Sequence, residues 1–386
     1  GCHALSMEAP DYSKPSMKLL VLAQTPPPLH GQSVMVRALL DGLPARGIAV
    51  YHVNLAISRD SADIGRWRPG KIAAVLSGVV RALGARFRHG CDTLYYVPAP
   101  PGKRGALYRD WAIMALCRPF YPRIVLHWHA SGLSEWMLHD ASAIERGLSR
   151  GLLGRAHLAI ILAPELRADA EFFLARRAAV VPNGVEDGGT PVTPSPARPF
   201  QLLFLGLGSA EKGLFAAAEA VVAANRECGS PPDAPAFALT AAGNFDHEES
   251  ATRFARLRAA HPDALRHIGP VDAAEKARWF AQSHALLFPT HYPAEGMPLV
   301  ALESLAHDRP VIATRWRALP AIVTADVGLL VTPGDHPALV AALRRLRDQP
   351  PAPGVCRARF EARFTLAQHL AALRAALASI DLDGPR

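Results

Sequence analysis

The stretch HALLFPTHYPAEGMPLVALESLAHDRPVIAT at residues 284–314 constrains the fold more than any other part of the chain. It reads as a buried strand over 285–288, a loop over 289–297, a helix opening at Pro298 and a second buried strand over 311–313. Together these make one parallel β-α-β unit. Ligands of such units sit at the carboxyl ends of the strands, and here that place belongs to the loop carrying Glu295 and Gly296. Gly296 has no side chain to keep a ligand away from the backbone, and the amides that open the helix face an anion or hydroxyl docked above them.

Glu303 is the odd residue of that helix. Leu299, Val300, Ala301, Leu302, Leu305 and Ala306 surround it, and no Lys or Arg lies three or four residues away. A buried carboxylate without a partner is costly, and a diol donating two hydrogen bonds would satisfy it. The competing reading is a surface Glu on a half-buried helix, meeting Arg309. The pairing of Glu295 and Glu303 around a Gly-x-Pro helix start, directly after a strand, favours the ligand reading.

The run PAEGMPLVALESLA resembles the signature of the large retaining glycosyltransferase family with the GT-B fold, family 4, whose members carry E-G-x-P-x-x-x-x-E-A-x-A here. The resemblance implies an α/β fold of two doubly wound Rossmann-like domains facing across a cleft. It also implies that Glu295 and the adjoining backbone of Gly296, Met297 and Pro298 hold the donor sugar's hydroxyls, and that Glu303 holds the nucleotide ribose. His307, Asp308 and Arg309 stand where the family has a small residue and Gly before the Pro.

Size agrees with two domains. A chain of 386 residues exceeds the length at which a single core stops growing, and 50% of its residues are hydrophobic, enough for two cores. The expected division is a leader over 1–16 without periodicity, an acceptor-binding domain over 17–185, a linker over 186–199 rich in Gly, Pro and Thr, and a nucleotide-sugar-binding domain over 200–363. A final helix over 364–380, by resemblance, returns to the first domain. No apolar run of transmembrane length and no signal segment is read, so a cytosolic location is expected. The five cysteines are odd in number and scattered, and are read as reduced thiols.

In chain order, a strand over 18–23 leads through the Pro-rich loop QTPPPLHGQ into an amphipathic helix over 33–43. The absence of G-x-G-x-x-G after this strand argues against a dinucleotide-binding oxidoreductase. The family has a Gly-Gly pair in this loop near donor and acceptor; Gly31 matches the second, and His30 replaces the first. A second strand (48–54) and a helix (71–87) follow.

Between residues 59 and 123, twelve basic residues (Arg59, Arg66, Arg68, Lys71, Arg81, Arg86, Arg88, Lys103, Arg104, Arg109, Arg118, Arg123) face four acidic ones, a surplus of 8 that equals the net charge of the whole chain. Two readings stand side by side, contact with an anionic membrane surface or acidic acceptor and a solvated basic face; nucleic acid is a third, and no nucleic-acid partner is expected. No recognition motif accompanies the last.

Strands over 93–97 and 123–127 come next, the second running into LHWHASG. The family has His-x-His-Gly here, and the resemblance places His129 against the donor sugar near its reacting carbon, with His127 in packing. Strands over 156–163 and 178–181 precede Pro182-Asn183-Gly184-Val185, where Asn-Gly suggests a tight turn with positive φ.

The second domain opens with a strand over 201–205 and the loop GLGSAEKG at 206–213. Glycines such as Gly208, helix-start amides and Lys212 form a candidate diphosphate site there. The family pattern is G-R-L-x-x-x-K-G; Lys212 matches its Lys, and Leu207 replaces its Arg. Val271, in HIGPV, resembles the segment lining the nucleotide base. In ATRWRALPAIV, Arg317 and Ala318 replace two family glycines.

The resemblance implies transfer of a sugar from a nucleotide-diphosphate sugar, UDP or GDP being the expected nucleotide, to a glycan or lipid-linked hydroxyl with retention. His129, Glu295 and Lys212 are the expected catalytic groups. No metal is expected, because no Asp-x-Asp or His/Cys cluster is present. The alternatives are a catalytically silent GT-B binding partner and an epimerase of the same fold.

Overall fold

The computed structural model describes residues 17–55, 69–189, 191–192 and 199–380. The expected leader over 1–16, and Arg59, Arg66 and Arg68 of the basic cluster, lie outside the described residues.

The first domain runs β1 (Met17–Ala23), α1 (Gly31–Gly42), β2 (Ile48–Asn54), α2 (Pro69–His89), β3 (Thr93–Tyr96), α3 (Arg104–Cys117), β4 (Arg123–Trp128), α4 (Leu133–His139), α5 (Ala143–Leu153), β5 (Leu158–Ile161), α6 (Arg167–Phe172) and β6 (Ala178–Val180). Its six strands are parallel in the order β2-β1-β3-β4-β5-β6. β1, β3 and β5 are almost wholly buried, as expected of strands covered by helices on both faces.

The second domain repeats the plan with β7 (Phe200–Leu205), α7 (Leu214–Glu227), β8 (Phe237–Ala242), α8 (Glu248–Ala260), β9 (Leu265–His267), α9 (Ala273–Gln282), β10 (Ala285–Phe288), α10 (Leu299–Ala306), β11 (Val311–Thr314), α11 (Leu319–Ile322), β12 (Gly328–Val331) and α12 (His336–Asp348). Its parallel sheet has the order β12-β11-β10-β7-β8-β9. The chain order therefore reverses between β7 and β10, which places the loops after these two strands at the crevice where doubly wound sheets bind ligands.

Two helices close the chain, α13 (Val355–Arg363) and α14 (Leu366–Ala378). Leu373, Ala376 and Leu377 of α14 join Leu19, Val36, Leu39 and Val125 in a core of the first domain. A capping box on Thr365 and Gln368 fixes where α14 starts.

Two local expectations need correction. Helix α1 begins at Gly31, two residues earlier than its apolar periodicity indicates, because His30 is its N-cap. The Ser33 amide donates to His30 Nδ1, and the His30 amide donates to Ser33 Oγ at 3.1 Å, a reciprocal cap that a glycine at position 30 could not make. The Asn183-Gly184 pair makes no positive-φ turn. It runs straight into a bridge between Val185 and Thr365, and a Cβ on Gly184 would lie 2.5 Å from the Thr365 carbonyl oxygen. Gly184 is there for close approach to the start of α14, and not for its left-handed freedom.

Candidate functional site

The loops after β7 and β10 meet around one carboxylate. Lys212, just before α7, reaches Glu295 Oε2 at 2.8 Å, and Thr290 Oγ1 donates to the same oxygen at 3.0 Å. Thr290 is fully buried, and its carbonyl accepts from the Thr314 hydroxyl at the end of β11. The Lys212 ammonium also stands 4.6 Å from the centre of the Tyr292 ring, and the Trp316 indole N–H holds the Tyr292 carbonyl at 2.8 Å. Glu295 is thus buried, charge-paired and held by groups that are themselves fixed, so its position is set before any ligand arrives.

The first domain closes over this loop. The Ser131 hydroxyl donates to the Glu295 carbonyl. The His129 carbonyl lies so near Gly296 that a Cβ there would be 1.9 Å from it. Gly296 is expected to bring backbone close to a ligand; the near neighbour in the structure is the opposite domain. Asn183 reaches across in the same way, its side-chain amide donating to the Met297 carbonyl at 3.0 Å. Gly31 stands against Leu299, the first residue of α10, with the nearest side-chain carbon 3.7 Å from where its Cβ would be. Pro298, at the N-cap of α10, is extended at φ −69° and ψ 121°. His129, Gly31, Glu295, Gly296, Met297 and Pro298 are accordingly brought together.

His129 is buried, stacks on His127 with ring centroids 4.0 Å apart, and its Nε2 has no hydrogen-bond partner among the described residues. Burial lowers its pKa to about 3, with His369 and His30 adding repulsion. His127, buried beneath it and bonded to the Tyr95 hydroxyl, is pushed well below the usual imidazole range for the same reason. Both rings are neutral at physiological pH. An orphaned buried ring nitrogen at the seam of two domains is a costly feature unless a ligand satisfies it.

Glu303 corrects the sequence reading. It has a cation, Lys276 of α9, with Nζ 2.6 Å from Oε1. Lys276 lies 27 residues upstream, so no helical spacing announces it. Both side chains remain partly exposed, 31% for Lys276 and 22% for Glu303, so the pair is open to a ligand on one side. The proposed alternative partner, Arg309, instead donates to the carbonyls of Phe280 and Val192.

The expected phosphate loop is also changed. The Gly208 amide donates to the Asn244 carbonyl at 2.8 Å, and a Cβ on Gly208 would meet the Phe245 ring at 2.6 Å, so this glycine serves packing against Phe245. The amides of Lys212, Gly213 and Leu214 are taken by Ser209 Oγ, the Ala210 carbonyl and the Ser209 carbonyl. The loop thus offers an anion the Lys212 ammonium, and those four amides are already engaged. Leu207 is 41% exposed at the same rim. Val271 is half-buried and packs on the second-domain core.

Sequence reasoning missed the cross-domain pair of Arg317 and Glu135, joined by two hydrogen bonds of 2.7 Å each. Arg317 occupies the left-handed region at φ 47°, where a side chain is disfavoured. The mismatch with the glycine of the family pattern was the one available signal. Arg317, Glu135, Trp136, Tyr292, Lys103 and Glu211 line a cavity of about 470 Å³ between the domains. Among the described residues, no group of three or more His, Cys, Asp or Glu side chains is placed to hold a metal ion.

The fold is GT-B. Over 95% of the chain it superimposes on sucrose-phosphate synthase from Thermosynechococcus elongatus, covering 99% of that chain with a TM-score of 0.71 at 17% identity. Anabaena HepE in complex with UDP aligns over 94% of this chain and 100% of its own, with a TM-score of 0.67 at 17% identity. Residues 199–349, most of the second domain, match the family model of Glycosyl transferases group 1. Glycogen synthase of Mycobacterium tuberculosis is 29% identical over 180 residues, 45% of this chain and 40% of that protein. The D-inositol 3-phosphate glycosyltransferase of Arthrobacter sp. is 34% identical over 139 residues, 35% of this chain and 31% of its own length. The chain thus aligns with less than half the length of these curated relatives.

Proposed function

We propose that this protein is a retaining glycosyltransferase that moves a sugar, a hexose in the first instance, from a nucleotide-diphosphate donor to a hydroxyl of a glycan or lipid-linked acceptor. The observation that carries this reading is the Lys212–Glu295–Thr290 cluster at the switch point of the second sheet, with the first domain's His129, whose buried Nε2 has no partner among the described residues, packed by its carbonyl on the adjoining Gly296. The match of residues 199–349 to Glycosyl transferases group 1 and the UDP bound by HepE support a nucleotide-sugar donor.

On this reading the ion pairs at Glu295 and Glu303 hold the site in order until the donor exchanges into them. The diphosphate takes the Lys212 ammonium, and sugar hydroxyls donate to the freed Glu295 carboxylate. The ribose diol donates to Glu303 on the side away from Lys276, and neutral His129 shares a hydrogen bond with the sugar near its anomeric carbon. As the bond from the anomeric carbon to the diphosphate oxygen breaks, Lys212 stabilises the charge left on the phosphate. The acceptor oxygen bonds to the same face of that carbon, and its proton passes to the departing diphosphate. Close packing of Gly296 on the His129 carbonyl keeps water from the reacting carbon.

The test is a thermal-shift series with UDP-, GDP-, ADP- and CMP-sugars on the wild type and Glu303→Ala. One nucleotide sugar is expected to raise the melting temperature of the wild type, with the shift lost in the variant. Stabilisation by none of the four would reject the donor reading.

A further inference from the structure

The outer layer of the first domain departs from the usual amphipathic rule. Helix α2 buries Val75, Val79, Ala82 and Ala85 against the domain, yet an apolar stripe also runs along its exposed surface beside Ser77, Arg81 and Arg88. Ile72, Leu76, Val80 and Phe87 are 47%, 51%, 69% and 70% exposed, the first three at intervals of four residues. A surface helix normally turns polar residues outward, and a row of exposed apolar side chains rimmed by polar ones marks an interaction surface. The stripe continues sideways, because α2 packs on α3 and α3 on α5. These neighbours expose Tyr108, Leu116, Ile144 and Leu148, and Phe87 packs edge-on against exposed Phe120 beyond the end of α3.

The charge on this layer is of one sign. Helix α2 contains no acidic residue, while α3 and α5 contain one each, Asp110 and Glu145. Both are buried and already paired, Asp110 with Arg109 and Glu145 with Arg104. Among the described residues, the hydrogen-bond partners of Arg81, Arg86, Arg146 and Arg150 are backbone carbonyls, and no carboxylate is paired with them. Exposed apolar tips framed by arginines, with no carboxylate facing out, match the chemistry of an anionic bilayer surface: the tips enter the acyl boundary and the guanidinium groups remain at the phosphates.

We propose that the face formed by α2, α3 and α5 docks on an anionic lipid bilayer. The contact proposed is peripheral, made by side-chain tips on the outer face of the domain; among the described residues no helix is long and apolar enough to cross a membrane. It would hold the first domain's half of the cleft near the lipid surface, and it stands whether or not the transferase reading does.

The full chain is sedimented with phosphatidylcholine vesicles and with vesicles also containing phosphatidylglycerol. Partition onto the anionic vesicles is expected to exceed that onto the neutral ones by at least about tenfold and to fall with added salt. Val80→Ser with Phe87→Ser should reduce it about tenfold, and Arg81→Gln or Arg88→Gln about fivefold each. Arg344→Gln, an exposed cation of the second domain, should leave it unchanged. If the double serine variant loses its cooperative melt, the arginine variants carry the test. Equal partition onto both vesicles, no partition, or indifference to all of these substitutions overturns the proposal. So does a self-associated chain in sedimentation velocity that the serine substitutions dissociate, which would assign the face to a second copy.

Discussion

The two halves of the cleft hold their polar groups in opposite ways. In the second domain every key side chain is charged and paired within the domain, Lys212 with Glu295 and Lys276 with Glu303. In the first, the facing groups are neutral imidazoles, His127 and His129, buried and stacked, each with an Nε2 that has no partner among the described residues. Charge can be kept at a buried site only with a partner, so the half that would meet an anion stores its charges as ion pairs. The half that would meet a sugar, which has no charge to neutralise, can be built from neutral hydrogen-bonding groups, and burial keeps them neutral.

The largest effect should come from breaking the charged half. On the proposed reading Glu295→Ala removes the carboxylate that receives the donor sugar's hydroxyls, two charged hydrogen bonds of about 1.5–3 kcal/mol each, so kcat/KM for transfer should fall about 10²- to 10⁴-fold. Radiolabelled transfer assays read this, and a loss under tenfold would mean that Glu295 serves only to hold the loop. Next is the seam between the halves. Gly296→Ala puts a methyl 1.9 Å from the His129 carbonyl and forces the domains apart. About 10²-fold of kcat should be lost while donor binding, which this reading assigns to the second domain, changes less than threefold by calorimetry. Equal loss of both would show that the comparison divides the site wrongly.

The neutral half predicts an acid limb. With a folded pKa of about 3 against 6.5 in the unfolded chain, His129 takes up a proton in the unfolded state first as pH falls. Unfolding therefore becomes easier between pH 6.5 and 3, by about 2 kcal/mol at pH 5 from this group alone, and His127 and His369 act in the same direction. Urea unfolding across this range should show a steeper loss in the wild type than in His129→Gln, and identical slopes would contradict the assignment of a buried neutral ring. The smallest effect belongs to the exposed cross-domain pair. Glu135 is 55% exposed, so Glu135→Gln should cost only about 0.2–1 kcal/mol of stability, and hydrogen exchange should quicken in the residues flanking Arg317. A larger loss would make this pair a principal fastener of the closed form.

Much of the fold was legible because parallel strands covered on both faces read as continuous apolar runs, and the β10-α10-β11 unit could be bounded to within a residue or two. The Glu295 loop was legible for the same reason: it follows β10 directly, and its Gly-x-Pro start announces α10. What failed to show was every contact whose partners are far apart in the chain. Lys276 beside Glu303 is invisible to a search at helical spacing. The use of Gly208 against Phe245 could not be separated from a ligand role, since both need a residue without a side chain.

The amino-acid sequence by itself determined the two doubly wound domains, the residues after β7 and β10 that gather at the switch point, and the basic bias of the first domain. The strands, helices and basic bias follow from local periodicity, chain order and composition, and the doubly wound pairing of domains from the resemblance carried by the Glu295 motif. Only the tertiary structure decided that Gly296 faces the His129 carbonyl, that the imidazoles are buried, that both carboxylates carry ammonium partners, and that one face of α2, α3 and α5 is apolar and outward. Burial and pairing are properties of the space between elements, and no single segment contains that space.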